Sequence, residues 1–170
     1  MEGSVDGGAG IDTLIMSGQS SKGAYIDLQQ GIGNINDGNA LAQHTGYRFQ
    51  IDSIENVGGT NQADKLYGNH LANRLTGFDG NDYLRGRGGD DTLAGGEGND
   101  RLVGDRGDDY LIAGRGNDRL YGGSDDDILV GMSGRNYFDG GSGNDTVKFS
   151  DNASSSAKFL DLGAEYAVSL

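Results

Sequence analysis

Residues 95–103 read Gly95-Gly96-Glu97-Gly98-Asn99-Asp100-Arg101-Leu102-Val103, and residues 140–148 read Gly140-Gly141-Ser142-Gly143-Asn144-Asp145-Thr146-Val147-Lys148. They are two of ten copies of one nine-residue phrase that runs without a gap from Gly59 to Lys148. Self-similarity at a short fixed period is the mark of a solenoid. A Gly-Gly-x-Gly-x-Asp-x-apolar-x period predicts a β-helix whose turns hold calcium.

Each position of the phrase has its own physical task. The first is glycine in nine of ten copies, Ala113 being the exception, which lets the chain turn and brings carbonyls close to a ligand. The sixth is Asp64, Asn73, Asp82, Asp91, Asp100, Asp109, Asp118, Asp127, Asn136 and Asp145, an oxygen donor every time. The eighth is apolar in all ten copies, from Leu66 to Val147. Side chains alternate along a strand, so in the closing x-apolar-x triplet only the middle residue points inward. The first six residues are then expected to form the turn.

Two nonapeptides make one coil, so residues 18 apart stack at the strand spacing of about 4.8 Å. That brings Asp82 near Asp100 and Asp91 near Asp109. Unpaired carboxylates so close repel. A hard cation held also by turn carbonyls relieves them, since calcium takes roughly 6–8 oxygen ligands. With no cysteine and two histidines placed away from the carboxylate turns, zinc and copper are poor candidates.

On these residues the chain resembles the repeats-in-toxin (RTX), or hemolysin-type, family of secreted bacterial proteins. The likeness covers 59–148 in register, with an isolated copy from Gly7 to Ile15. The resemblance implies an all-β fold, a right-handed parallel β-roll. It also implies that one turn offers the carbonyls of positions two and four with its aspartate, and the turn one coil later those of positions one and three with its own. Carried over, one site uses Phe78, Gly80 and Asp82 with Gly95, Glu97 and Asp100. A second uses Arg87, Gly89 and Asp91 with Gly104, Arg106 and Asp109. A third uses Gly96, Gly98 and Asp100 with Ala113, Arg115 and Asp118, and a fourth Asp105, Gly107 and Asp109 with Gly122, Ser124 and Asp127. Two weaker sets raise the expectation to about six: Gly114, Gly116 and Asp118 with Gly131, Ser133 and Asn136, and Gly123, Asp125 and Asp127 with Gly140, Ser142 and Asp145. Asn136 weakens the first of these, and Asp125, standing where the turn wants glycine, the second. The turns ending at Asp64 and Asn73 lack the fourth-position glycine, which counts against metal there.

With 13 basic and 26 acidic residues, a net charge of −13, and 33 glycines in 170 residues, the composition is that of a disordered chain. Ten inward apolar side chains are too few to offset the ordering of ten nonapeptides. Cations that bind only the folded form supply the missing stabilisation. The chain is therefore expected to be unfolded without calcium and compact with it. It contains no apolar run long enough to span a membrane, and Met1-Glu2-Gly3-Ser4 opens no signal peptide. An acidic, cysteine-free, calcium-dependent chain suits the extracellular space, and no nucleic acid partner is expected. The resemblance implies export by a type I secretion machinery.

Gly7 to Gly31 and Gly140 to Gly163 are the same segment, offset by 133 residues with one residue of slip. The chain then holds about one and a quarter periods of a longer array, with neighbouring tandem modules as partners. This resembles the multi-block region of adenylate cyclase toxins and other very large exoproteins. The expected organisation is a β-rich N-terminal flank or cap over 1–58, the roll over 59–148, and over 149–170 the start of the next flank or a cap. Strand-like stretches are Thr13 to Met16, Ala24 to Leu28, Tyr47 to Ile51 and Ser53 to Val57, with a loop from Gln29 to Gly46. His44 and His70 fall in loop and turn.

Sorting outward residues by odd and even repeats separates two faces. The odd face carries Lys65, Tyr67, Tyr83, Arg85, Arg101, Val103, Arg119, Tyr121, Tyr137 and Asp139, and the even face is β-branched and nearly neutral. Lys65, Tyr83, Arg85, Arg101, Arg119, Tyr121 and Tyr137 form a candidate face for an anionic glycan or a host surface, as in the rolls of alginate epimerases or in an adhesin. Such residues are also common on any exposed strand. Neither face has the rank of threonines that ice binding wants. No Gly-x-Ser-x-Gly, His-Glu-x-x-His or Gly-x-x-x-x-Gly-Lys-Ser/Thr motif is present, and the paired acids sit at metal spacing, so no catalysis is expected.

Overall fold

The computed structural model describes residues 3–16, 22–34, 48–149, 159–161 and 167–168. Within them every regular element is a strand. The triplets of odd repeats begin Lys65–Tyr67, Tyr83–Arg85, Arg101–Arg106, Arg119–Ser124 and Tyr137–Ser142, which line up in one sheet. Those of even repeats begin Arg74–Asp79, Thr92–Glu97, Tyr110–Arg115, Ile128–Gly131 and Thr146–Phe149, in the other. All pair in parallel at 18-residue offsets, as in Leu84↔Leu102↔Leu120 and Leu75↔Leu93↔Leu111. The result is a parallel β-solenoid of about five coils.

The core is two files of side chains, one from each sheet. Every eighth-position residue, from Leu66 to Val147, is 0% exposed. Positions seven and nine point outward, as Arg101 and Val103 do on either side of Leu102. The bend differs from the expectation. Six of the ten roll strands run on into the first three residues of the next repeat, pairing Gly96 with Gly114 and Glu97 with Arg115. The turn is confined to positions four to six because position-four amides donate to position-three carbonyls one coil later, Gly80 N to Glu97 O and Gly98 N to Arg115 O, both at 2.8 Å. Buried backbone groups must be paired, and here the ladder pairs them around the corner.

The N-terminal flank builds further rungs of the same solenoid. Thr13–Ile15 pairs with Asn56–Gly58 and that with Arg74–Asp79, aligning Leu14, Val57 and Leu75. Tyr25–Asp27 lies beside Lys65–Tyr67, aligning Ile26 with Leu66. The expected loop from Gln29 to Gly46 contains a strand, Ile32–Asn34, antiparallel to both Tyr25–Asp27 and Arg48–Asp52. Gly31, at φ +63°, makes the reversal that lets it fold back. His44 lies outside the described residues, and His70 is exposed in a turn. Asp27, 1% exposed, takes both terminal nitrogens of Arg87 at 2.7 and 2.8 Å, which ties flank to roll. At the other end Phe159–Asp161 pairs with Tyr137–Ser142, and Ala167–Val168 with Thr146–Phe149. The two self-similar segments thus place matching strands in matching sheets.

Candidate metal centres

Each sixth-position aspartate closes a turn just before its strand, and its side chain folds back into that turn. The backbone N–H of one such residue donates to Oδ1 of the next, one coil on: Asp64 to Asp82 and Asp82 to Asp100 at 2.8 Å, Asp100 to Asp118 at 2.9 Å. The opposite edge repeats this with Asn73 to Asp91 at 2.7 Å, Asp91 to Asp109 at 2.8 Å, Asp109 to Asp127 at 2.9 Å and Asp127 to Asp145 at 3.0 Å. Oδ1 is therefore part of the scaffold. Oδ2 of Asp82, Asp91, Asp100, Asp109, Asp118, Asp127 and Asp145 is buried with no hydrogen-bond partner. Each such orphan costs about 1–3 kcal/mol, and more when ionised.

Four of the orphan oxygens, those of Asp82, Asp100, Asp109 and Asp127, face carbonyls of the next coil. A Cβ on Gly95 would collide with both Asp100 Oδ2 and the Ala113 carbonyl oxygen, so the two oxygens converge on the space that glycine leaves open. The same convergence brings Asp82 to Gly95, Asp109 to Gly122 and Asp127 to Gly140, across Gly77, Gly104 and Gly122. These are members of the ligand sets read from the sequence. The carbonyls of Phe78 and Gly80 point at Gly96 and Gly98, where φ is +117° and +134°, and a Cβ there would strike them. Position-three carbonyls, such as those of Glu97, Arg115 and Ser142, each accept one backbone N–H and retain a second lone pair. Phe78, Arg87 and Asp105 at position two, and Asp125 at position four, adopt φ between +78° and +83° without glycine's freedom. Asp125 keeps the turn's path, its N–H donating to Ser142 O at 2.9 Å. An all-oxygen cradle with a buried carboxylate oxygen and convergent carbonyls fits calcium by donor type.

A family model for the RTX calcium-binding nonapeptide repeat, in four copies, matches residues 58–93, 76–111, 86–120, 94–129 and 112–147. The chain belongs to this RTX family. A comparison with curated proteins found no match.

The electrostatics of the RTX turns follow from that burial. Loss of hydration is the main cause that pushes Asp82, Asp109 and Asp127 up to about 8, Asp91 to about 7 and Asp118 to about 6. The N–H from the preceding coil opposes this, and neighbouring carboxylates add to it: Asp64 and Asp100 for Asp82, Asp90 and Asp105 for Asp91. Burial raises Asp64, Asp100 and Asp145 as well.

The first RTX turns are different. Asp64 Oδ2 accepts the Thr60 N–H at 2.6 Å, and its Oδ1 accepts the Thr60 hydroxyl at 2.9 Å and the Ala24 N–H at 2.5 Å. Asn73 accepts the Asn69 N–H at 2.7 Å and donates to Glu55 O at 3.0 Å. Asn136 accepts the Asp118 N–H at 2.9 Å, so the amide keeps the scaffold bond of an aspartate. Thr60 and Glu55 are not singled out by the sequence, whereas Asp12 is the sixth-position residue of the isolated copy from Gly7 to Ile15. Asp12 N donates to Glu55 Oε2 at 2.8 Å, the relation seen between successive aspartates, and Asp12 Oδ2 is a further buried orphan. The signal for Glu55 was present: Val57 stands nine residues before Leu66, in register with the array.

The candidate glycan face assembles into a ladder. Tyr25, Tyr67 and Tyr83 pack as tilted rings with centroids 5.5 and 5.6 Å apart, and Arg101 lies over Tyr83 and Tyr121 at 5.9 and 4.6 Å. Tyr121 meets Tyr137 at 5.6 Å. Arg85 pairs with Asp105, while Lys65 is exposed on the same sheet. Arg101, Arg119, Arg135 and Tyr137 line an open groove of about 740 Å3 together with Asn99, Asn117 and Asn136 and the turn aspartates Asp100 and Asp118.

Proposed function

We propose that the chain is a calcium-responsive folding module of a large secreted exoprotein, with no chemistry of its own. The supporting observation is the stack of buried aspartate oxygens that lack a partner. A bound divalent ion supplies the positive charge they need, and its binding free energy becomes folding free energy. On this reading Asp82 with Asp100, Asp100 with Asp118, Asp91 with Asp109, and Asp109 with Asp127 hold four ions together with the carbonyls named above. Asp127 with Asp145 and Asp118 with Asn136 extend the number to about six. Asp64 needs no ion, because Thr60 and Ala24 already serve its oxygens.

The biological setting follows from that switch. A chain that is unfolded at low calcium can be threaded through a type I secretion machinery and set in the calcium-rich extracellular space. The repeated flank fits a tandem array in a toxin-like protein, in which 1–58 opens a module, 59–148 forms the roll and 149–170 begins the next flank. Circular dichroism during a calcium titration tests the core of this: disorder in excess chelator and β structure in excess calcium. A β spectrum that persists in chelator at neutral pH overturns it.

A second reading is an anionic glycan module. It is favoured by Arg119 and Arg135, which among the described residues have no ion pair, next to the Arg101 ladder. Arg101→Ala with Arg119→Ala then abolishes retention on an alginate column while the calcium response stays intact.

A further inference from the structure

The fifth-position side chains form a second column outside the aspartates, and its charge differs between the two edges of the roll. On the edge entering the odd sheet the column is Asn81, Asn99, Asn117 and Arg135. Asn99, Asn117 and Arg135 donate their N–H groups to the side-chain Oδ1 one coil earlier at 2.7, 2.8 and 2.9 Å. On the other edge the column is Asp90, Asp108, Asp126 and Asn144, with the same bonds at 3.0, 2.9 and 2.8 Å. The geometry is the same and the charge is not. Over four successive turns, 86–91, 104–109, 122–127 and 140–145, the aspartate edge carries nine acids and two arginines. The asparagine edge, over 77–82, 95–100, 113–118 and 131–136, carries five acids and two arginines.

We propose that the two edges bind calcium with different strength, the aspartate edge more tightly, and that the fifth-position residue sets the difference. The inference rests on the calcium reading above and concerns its regulation. Position five touches no ion in this scheme. It is exposed in every one of these turns and acts through its field on the ligand next to it in the chain. A unit charge beside a divalent ion at a wet surface changes affinity on the order of tenfold at low salt, and less as salt screens it. The chain would then respond to calcium in two steps, one edge loading before the other.

Exchanging Asp for Asn tests this without disturbing the ladder, because both present the accepting Oδ1. Asp90→Asn with Asp108→Asn and Asp126→Asn, in the full chain, is expected to raise the calcium concentration of half-saturation several-fold in calorimetry at low salt. The reverse exchange, Asn81→Asp with Asn99→Asp and Asn117→Asp, is expected to lower it. Both shifts should shrink in roughly 0.5 M salt. Should the first variant fail to fold at any calcium concentration, the reverse exchange decides alone. Midpoints unchanged by either exchange, or moved the same way by both, overturn the inference while leaving the calcium module standing. An unmodified chain that binds no calcium sinks the underlying reading instead.

Discussion

The turn ending at Asp64 and the turn ending at Asp100 have the same length and place in the coil, yet they solve the same electrostatic problem differently. At Asp64 the neighbours are protein donors: Thr60 supplies an N–H and a hydroxyl, and the flank supplies the Ala24 N–H. At Asp100 the second position is glycine, no hydroxyl is present, and Oδ2 is left buried and bare. In the folded roll the first turn is closed by protein hydrogen bonds alone. The later turns need a charge from outside. A roll whose every turn resembled the first would be an ordinary β-solenoid; on the reading proposed above, one whose turns resemble the later ones responds to calcium.

The largest effect that distinguishes them is expected from alanine substitution. Asp100→Ala removes a carboxylate from two sites and should weaken calcium binding by roughly an order of magnitude while lowering cooperativity. Asp64→Ala should leave the number of calcium ions unchanged, with a cost that appears as lost thermal stability in saturating calcium. Calorimetric stoichiometry of the two variants breaks the comparison if both lose ions.

Acid is the next lever. In the metal-free roll the carboxyls of Asp82, Asp109 and Asp127 keep their protons up to about pH 8, whereas in an unfolded chain they lose them near 3.8. Between those values the folded state holds more protons, so raising the pH removes stability from the metal-free roll. In chelator, β structure should be greater at pH 5 than at pH 8. With limiting calcium the direction reverses, because protons compete for the ligands, and the calcium midpoint should rise as pH falls from 8 to 6. Circular dichroism and calcium titration at several pH values check both signs.

Smaller effects sharpen the contrast. Thr60→Val deletes the hydroxyl that donates to Asp64 at 2.9 Å and should cost about 1 kcal/mol in denaturant unfolding, with calcium stoichiometry untouched. Asp125→Gly relieves a left-handed φ of +82° and should add a few tenths of a kcal/mol at most, roughly, because the Gly107 N–H loses its bond to Asp125 Oδ2. Chemical denaturation in saturating calcium measures both.

Much of this was legible in the residues. The eighth-position file, the odd and even sheets and the stacking of aspartates at 18 residues all follow from a period that nothing interrupts between Gly59 and Lys148. The strands' extension into positions one to three was not legible, since glycine carries no strand preference and is paired here only because the coil above holds it. The flank rungs were hidden for another reason. Glu55 and Val57 keep positions six and eight, but the turn before them has lost its glycines, so the motif vanishes while the register survives. The Asp27–Arg87 pair joins residues 60 apart across an insertion, and no local pattern announces it. The turn ending at Asp64 reads as a defect in the motif for want of its fourth-position glycine, and Thr60 supplies its aspartate with two protein donors.

Between its end coils, the roll's backbone ladder joins each strand to the strands 18 residues before and after it. Among the described residues, the ties that reach furthest along the chain sit at the base, in the Arg87–Asp27 pair and in the ladder from Tyr25–Asp27 to Lys65–Tyr67, so load on the middle coils meets only their neighbours. Under tension the roll should shed coils one after another, each releasing about 60 Å of slack, and on the calcium reading proposed above the ion would set the force at which the rod lengthens.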